Sequence, residues 1–144
     1  KKVTITEVRS STVVADLVNL LRDKLKTNIS AVSSRVYTSY PQNNVIYPMI
    51  TVVDTGSTQE GKLGMGSEGT ILRLGVEIRV WARNVKERDE IFDSVYDYLR
   101  TNQLSGDDLV EANLHDFNMN SVVNVSESDV KSKVGEFTYL FLCV

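Results

Sequence analysis

The fold is decided by residues Thr70–Gln103, which read TILRLGVEIRVWARNVKERDEIFDSVYDYLRTNQ. In the first part, Thr70–Arg83, apolar residues alternate with polar ones, which predicts a half-buried strand because successive side chains of a strand point to opposite faces. In the second part Asn84 stands three residues before Glu87. At this spacing a cap side chain and a glutamate satisfy each other's free backbone N–H groups, so a helix is expected to begin here. Its apolar side is formed by Ile91, Phe92, Val95, Tyr98 and Leu99. The strand and the helix can therefore share one core.

The totals are those of an ordinary globular protein. The chain has 144 residues, of which 42% are hydrophobic and 24% charged, and 19 acidic against 16 basic residues give a net charge of −3. This length predicts a single domain over residues 1–144. Nucleic-acid binders usually carry a basic excess, which this total does not show. The single Cys143 excludes an internal disulfide and leaves too few thiolates for a structural zinc site.

Targeting signals are not expected. The sequence has no apolar run of about 18 residues, the length that indicates a membrane helix, and its Lys1-Lys2 start lacks the apolar segment of a signal peptide. We therefore expect synthesis in the cytoplasm and no membrane association.

The remaining segments predict an α+β fold. Apolar residues at three- and four-residue spacing predict a first helix over Val13–Asn28, preceded by a short extended arm over 1–10. Further strands are predicted at Arg35–Ser39, Val45–Asp54, Phe117–Val125 and Val134–Val144. Pro48 cannot donate a ladder hydrogen bond, so it is expected at the beginning of its strand, at a bulge or at an edge, with Met49–Val53 in regular pairing. This order suits a largely antiparallel, four- to five-stranded sheet with two helices packed on one face.

A long glycine-rich loop is predicted over 55–69, between two central strands. Gly64–Gly69 matches the GxGxxG pattern. In a dinucleotide site, however, these glycines follow a strand and open a helix, whereas here they precede a strand. No cofactor is expected. Leu63 and Met65 would be exposed to water in a monomer, so a flexible loop that becomes ordered on a partner is favoured.

Three carboxylates, Asp89, Asp93 and Asp97, recur every four residues and share one ridge of the second helix. The favoured interpretation is a solvated face whose charge is relieved by Lys86 and Arg100. A second interpretation is an interface ridge that meets arginines such as Arg73 or Arg79 of a neighbouring copy. A metal site is the least favoured, because hard cations need oxygens that converge from several directions.

No catalytic signature is present. The only histidine, His115, has no nucleophile in a strained elbow motif to activate, and Cys143 lies among apolar residues that make a thiol inert. Tyr37, Tyr40 and Tyr47 could stack bases, but only Arg35 supplies charge nearby, so packing or a protein interface is favoured. The residues alone therefore identify no active site.

The chain resembles the tail terminator and neck proteins of long-tailed bacteriophages over roughly residues 13–144. The resemblance is carried by the glycine-rich loop and by Val13–Asn28, Tyr47–Val52, Leu72–Trp81 and Glu87–Arg100. It implies a virion protein without enzymatic activity, assembled in the host cytoplasm into a six-fold ring that caps the tail tube at the head-to-tail junction. The implied partners are copies of itself, the tail tube protein and neighbouring neck proteins, while DNA passes through the lumen without sequence-specific binding.

We expect the contacts of such a ring to involve Leu63, Met65, Arg73, Arg79, Asp89, Asp93 and Asp97. Two alternatives stay open. One is another phage connector, a head completion protein or a tail tube protein. The other is a small ligand-binding or enzymatic α+β domain that uses the glycine-rich loop and has a pocket with converging polar groups.

Overall fold

The computed structural model describes residues 8–9, 12–62, 70–104, 108–110, 112–126 and 130–143. The elements in chain order are β1 (Val8–Arg9), α1 (Val13–Asn28), a 3₁₀ turn (Ser30–Val32), β2 (Val36–Tyr37), β3 (Met49–Lys62), β4 (Thr70–Ala82), α2 (Val85–Thr101), β5 (Leu109–Val110), β6 (Ala112–Ser126) and β7 (Lys131–Cys143).

Five strands form the main sheet in the order β2-β3-β4-β7-β6. The β2–β3 pair is parallel and the other three pairs are antiparallel, so this sheet is mixed. β1 and β5 form a separate two-stranded parallel pair. The α+β class is confirmed.

The β4–α2 unit forms as its sequence predicts. Leu74, Val76, Ile78 and Val80 are buried on one side of β4. At the start of α2 the Asn84 Oδ1 accepts a hydrogen bond from the Glu87 backbone N–H at 2.8 Å. The Glu87 carboxylate accepts from the backbone N–H of Arg83 at 3.4 Å, one residue before the cap. The first helix also has its predicted bounds.

Both helices pack on the same face of the sheet, which we call the helix face. The register sets Ile78 of β4 between Val52 of β3 and Gly135 of β7, so the side of β4 that carries Ile78 is continuous across these strands. One buried cluster joins this face to both helices, and its members include Leu17, Leu21, Val52, Ile78, Val95 and Phe137. Met49 is equally buried but lies on the opposite face and outside that cluster. Burying each large side chain contributes about 1.5–3 kcal/mol, so this face holds the fold together.

Gly135 lets α2 approach the sheet closely. A Cβ at this position would lie 2.7 Å from Cζ of Phe92 and 2.8 Å from Cε1 of Phe137. Both distances are below van der Waals contact, so only glycine fits without movement of the two rings.

The prediction of a loop over 55–69 is wrong for residues 55–62, which continue β3 and pair with the first half of β4. Two register shifts, at Asp54/Gly56 and Gln59/Gly61, leave Thr55 and Glu60 without a facing residue on β4 and form bulges next to the two glycines. Periodicity could not reveal this part because Val53–Gln59 is exposed. Residues 63–69, with Leu63 and Met65, lie outside the described residues.

The other strand predictions differ mainly at their ends. β3 begins at Met49 and not at the predicted Val45, directly after Pro48, and β2 is limited to two residues. β6 begins at Ala112 and β7 at Lys131, so both are longer than Phe117–Val125 and Val134–Val144. Of the predicted arm over 1–10, the described Val8 and Arg9 form β1, and the rest lies outside the described residues.

Candidate assembly surfaces

The face of the sheet opposite the helices is the open face. No helix of the described chain packs on it. The register assigns to it Met49, Thr51 and Val53 of β3, Arg73, Glu77, Arg79 and Trp81 of β4, Val134, Glu136 and Thr138 of β7, and Ser121 and Val123 of β6.

An aromatic cluster occupies one end of the open face. The Tyr40 ring meets Trp81 edge-on with the centroids 5.1 Å apart, and the Arg79 guanidinium lies 4.8 Å from the Trp81 ring centroid. The Tyr40 and Tyr47 hydroxyls are hydrogen bonded at 2.7 Å, and Trp81 Nε1 donates to Thr51 Oγ1 at 3.2 Å. The cluster ties the β2–β3 connection to the sheet, so the expected packing role is confirmed for Tyr40. Trp81 was missed, although a tryptophan on the polar side of a strand was the available signal.

Arg79 already has partners inside its own chain. Besides Trp81, its guanidinium lies 3.7 Å from the Glu77 carboxylate. Arg73 is exposed on the same face, nearer the end of the β3–β4 hairpin. Both predicted arginines therefore lie on the open face, on the side of the sheet away from α2.

The acidic ridge of α2 is not uniform. Asp89 Oδ1 lies 3.0 Å from Lys133 Nζ of β7 and 3.0 Å from Arg88 Nε. Asp97 pairs with Arg100 at 2.6 Å, as predicted, whereas Lys86 lies 4.0 Å from Glu90. Asp93 is exposed. The sheet separates α2 from Arg73 and Arg79, so a pairing between the ridge and these arginines would join two copies.

The contacts of Asp89 connect α2 to β7. Hydrogen bonds from Lys133 and Arg88, in that order of importance, hold the pKa of the Asp89 carboxyl below its ordinary value. Arg88 is itself 6% exposed, and the Lys133 ammonium lies 5.4 Å from the Phe92 ring centroid. Asp89 therefore pairs with two cations beside the core, Lys133 and Arg88. The spacing of residues in the sequence did not indicate this structural role.

Two sheet edges are uncovered in the described part of the chain. β6 is the last strand of the sheet, so its outer edge has no strand beside it there. At the other margin β2 pairs only with Ile50 and Thr51, which leaves the outer edge of β3 beyond Thr51 without a described partner strand.

Met119, Val122 and Val123 of β6 are 37%, 39% and 54% exposed. Sequence analysis missed this surface, although the Val122–Val123 doublet breaks the alternation of a strand with one buried face.

Features of an enzyme or a ligand site are few in the described ranges. A cleft of about 270 Å³ lies beside α2 and is lined by Ala31, Glu87, Glu90, Ile91 and Ser94. Asp89 and Tyr139, which have shifted pKa values, both lie outside this cleft. Burial raises the pKa of the Tyr139 phenol. No group of three or more His, Cys, Asp or Glu among the described residues could hold a metal ion. The side chains of His115 and Cys143 lie outside the description, as does Gly64–Gly69, but the element that follows it is strand β4 and not a helix.

Neither of the two described helices, which are 16 and 17 residues long, is long and apolar enough to cross a bilayer.

Comparison with known proteins gives a likeness of fold. No protein-family model and no curated protein matches the chain. Among solved structures, the chain is similar to a protein in the virion of a native gene transfer agent particle, with a TM-score of 0.61. The match covers 85% of this chain and 91% of that chain at 14% sequence identity. At this identity the likeness shows that the two chains share a fold.

Proposed function

We propose that this protein is a structural subunit of a virion: a tail terminator or neck protein that forms a ring at the head-to-tail junction of a tailed phage. The supporting observation is that its fold matches a virion component over 85% of this chain and 91% of that one. The sequence resemblance to tail terminator and neck proteins favours the same class independently. The proposed activity is binding and closure, without bond-making chemistry.

A ring requires two different complementary surfaces on each subunit, because a head-to-tail contact closes only when the rotation between copies fits. The molecule offers such surfaces at opposite margins of its sheet, one along β3 and one along β6. In this proposal Arg73 and Arg79 of the open face, which also carries Glu77 and Glu136, meet Asp93 and Asp97 of the ridge on a neighbouring copy. Asp89 contributes less in this proposal, because Lys133 and Arg88 already neutralise it.

Charge also fits the passage of DNA. Phosphate affinity comes mainly from lysine and arginine, and the chain carries a net charge of −3. We propose a mildly acidic lumen that DNA crosses without binding, six copies in the ring, and contacts to the tail tube protein and to adjoining neck proteins. A strongly basic channel in a map of the assembled ring would contradict the proposed lumen.

Native mass spectrometry of the full chain, alone and with the tail tube protein of the same virion, tests the function. We expect a closed oligomer of six copies in at least one of the two samples, and a ring in negative-stain images. A chain that stays monomeric in both samples contradicts the proposal.

The role proposed for the segment 63–69 has its own test. Replacing both Leu63→Ser and Met65→Ser should weaken assembly, because these apolar residues would lose their cover in the partner, while the circular dichroism of the monomer stays unchanged. Val85→Ser is a matched control, since Val85 is 48% exposed on α2 away from both sheet margins. Assembly equal to that of the control would remove the two residues from the interface.

A further inference from the structure

The outer edge of β6 lacks most devices that keep natural sheets from pairing edge to edge. Such edges are usually short or carry lysine or proline. β6 spans 15 residues, Ala112–Ser126, and contains no lysine, arginine or proline. Its two register shifts, at Leu114/Asp116 and Met119/Ser121, are the protective feature that it does have. From Phe117 to Ser126 it carries no charged residue. An uncharged strand with exposed valines at an edge is a surface for strand addition.

The second uncovered edge has the same character. Beyond Thr51 the outer edge of β3 continues to Lys62. Asp54 is the only charged residue from Val53 to Gln59, and Glu60 and Lys62 carry charge at the far end of the strand. Val53 is 41% exposed. In the described part of the chain, one molecule therefore presents two long edges without a strand beside them, at opposite margins of one sheet.

The strand directions make these two edges fit each other. β7 runs in the direction of β3, because each is antiparallel to β4, and β6 is antiparallel to β7. β6 is therefore antiparallel to β3. A rotation about an axis roughly along the strands brings β6 of one copy beside β3 of the next in antiparallel orientation, with both open faces on the same side. This operation can be repeated until a ring closes.

The two edges also match in their position along the strand direction. The register places Val53, Glu77, Glu136 and Ser121 in one row across the sheet. Without a shift along the strands, Val53–Gln59 of one copy would lie beside Leu114–Ser121 of its neighbour. Val122 and Val123 would then reach the β2–β3 connection, where Tyr40 and Ile46 are 46% and 51% exposed. The apolar residues exposed on the two margins would thus cover each other.

We infer that β6 of one copy adds to the outer edge of β3 in a second copy of this chain, so that the sheets of adjacent subunits form one continuous antiparallel sheet around the ring. The inference rests on the proposed ring and specifies its interface. The alternative contact, β6 against β6 about a two-fold axis, would also be antiparallel. It would close a dimer and leave both β3 edges uncovered, so it cannot build a ring.

Disulfide cross-linking between singly substituted chains tests this contact. In a Cys143→Ser background we would prepare Val53→Cys, Ser121→Cys and Val123→Cys, all on the open face, and Lys86→Cys on the exposed surface of α2 as the control. Facing positions of paired strands have Cβ atoms about 4.5–5.5 Å apart, close enough to cross-link. The assembled protein would be oxidised and analysed on a denaturing gel.

The expected product is a covalent dimer in the mixture of Val53→Cys with Ser121→Cys or Val123→Cys, and none in the mixtures with Lys86→Cys. Dimers of Ser121→Cys or Val123→Cys alone would show β6–β6 pairing and overturn the inference. Rings that form without any β3–β6 cross-link overturn it while leaving the proposed function intact. If the unsubstituted chain forms no ring, alone or with the tail tube protein, the function and the inference fail together.

Discussion

The helix face of the sheet and its outer edges differ in what they leave exposed. On the helix face Ile78 and Phe137 are fully buried, and Gly135 allows the closest possible approach of α2. On the edge strand β6, Val123 is 54% exposed and no described strand pairs with its outer side. Among the described residues, the helices thus cover one face of the sheet, whereas its outer edges have no further strand beside them. Substitutions on the helix face should act on folding, and substitutions on the edges should act on assembly.

The largest effect on folding is expected at the centre of the helix face. Phe137→Ala should lower the free energy of unfolding by about 3–5 kcal/mol, because it removes a fully buried ring and leaves a cavity. Urea unfolding followed by circular dichroism measures this. The matched substitution Val123→Ala, at an exposed edge position, should change the stability of the monomer by less than about 1 kcal/mol. Equal losses in both variants would contradict the division into two regions.

Gly135→Ala tests the close approach of α2. The added methyl group would collide with the Phe92 and Phe137 rings, so we expect a loss of about 1–3 kcal/mol from overpacking. Thermal unfolding provides the measurement, and Glu136→Ala, at the exposed neighbouring position, is the control. Unchanged stability of Gly135→Ala would mean that helix and sheet are not packed as described.

Asn84→Ala removes the side chain that caps α2. The loss of the hydrogen bond to the Glu87 backbone N–H should cost about 1 kcal/mol. Asn84→Asp retains an equivalent acceptor and should preserve stability, which denaturant titration of both variants can establish. A loss as large in the aspartate variant as in the alanine variant would refute the capping role.

Asp89→Asn should give the smallest change in stability, with a characteristic dependence on pH. The pKa of Asp89 is lowered in the folded protein from its ordinary value of 3.8, so its contribution is present above that value and is lost as pH falls through the lower folded pKa. Because the side chain is 41% exposed, we expect less than about 1 kcal/mol at pH 7. Urea titrations of wild type and variant should differ at pH 7 and converge in acid. Asp93→Asn, on the exposed part of the ridge, is the control for the loss of one charge from α2.

Sequence signals predicted what depends on residues close in the chain. The alternation in β4, the Asn84 cap and the bounds of α1 follow from local periodicity and local hydrogen bonding, and the structure confirms them. The extension of β3 to Lys62 was not predicted because Val53–Gln59 is exposed on both faces. Such a segment shows no alternation of apolar and polar residues. The pairing of β7 with β4 brings together segments that are far apart in the chain, such as Ala82 and Lys131. Neither the β6 edge nor the Asp89–Lys133 contact could therefore be deduced from spacing.

Pairing of β6 with β3 of a second copy is tested most directly by the assembly state of a chain whose β6 edge carries charge. Lysine is a residue with which natural sheets prevent edge pairing, so Val122→Lys with Val123→Lys should abolish the ring in sedimentation velocity and native mass spectrometry. The monomer should keep wild-type stability to within about 0.5 kcal/mol per exposed substitution. Val85→Lys, at a valine of similar exposure on α2, should assemble as the wild type does. A double lysine variant that still forms the wild-type ring would contradict the account.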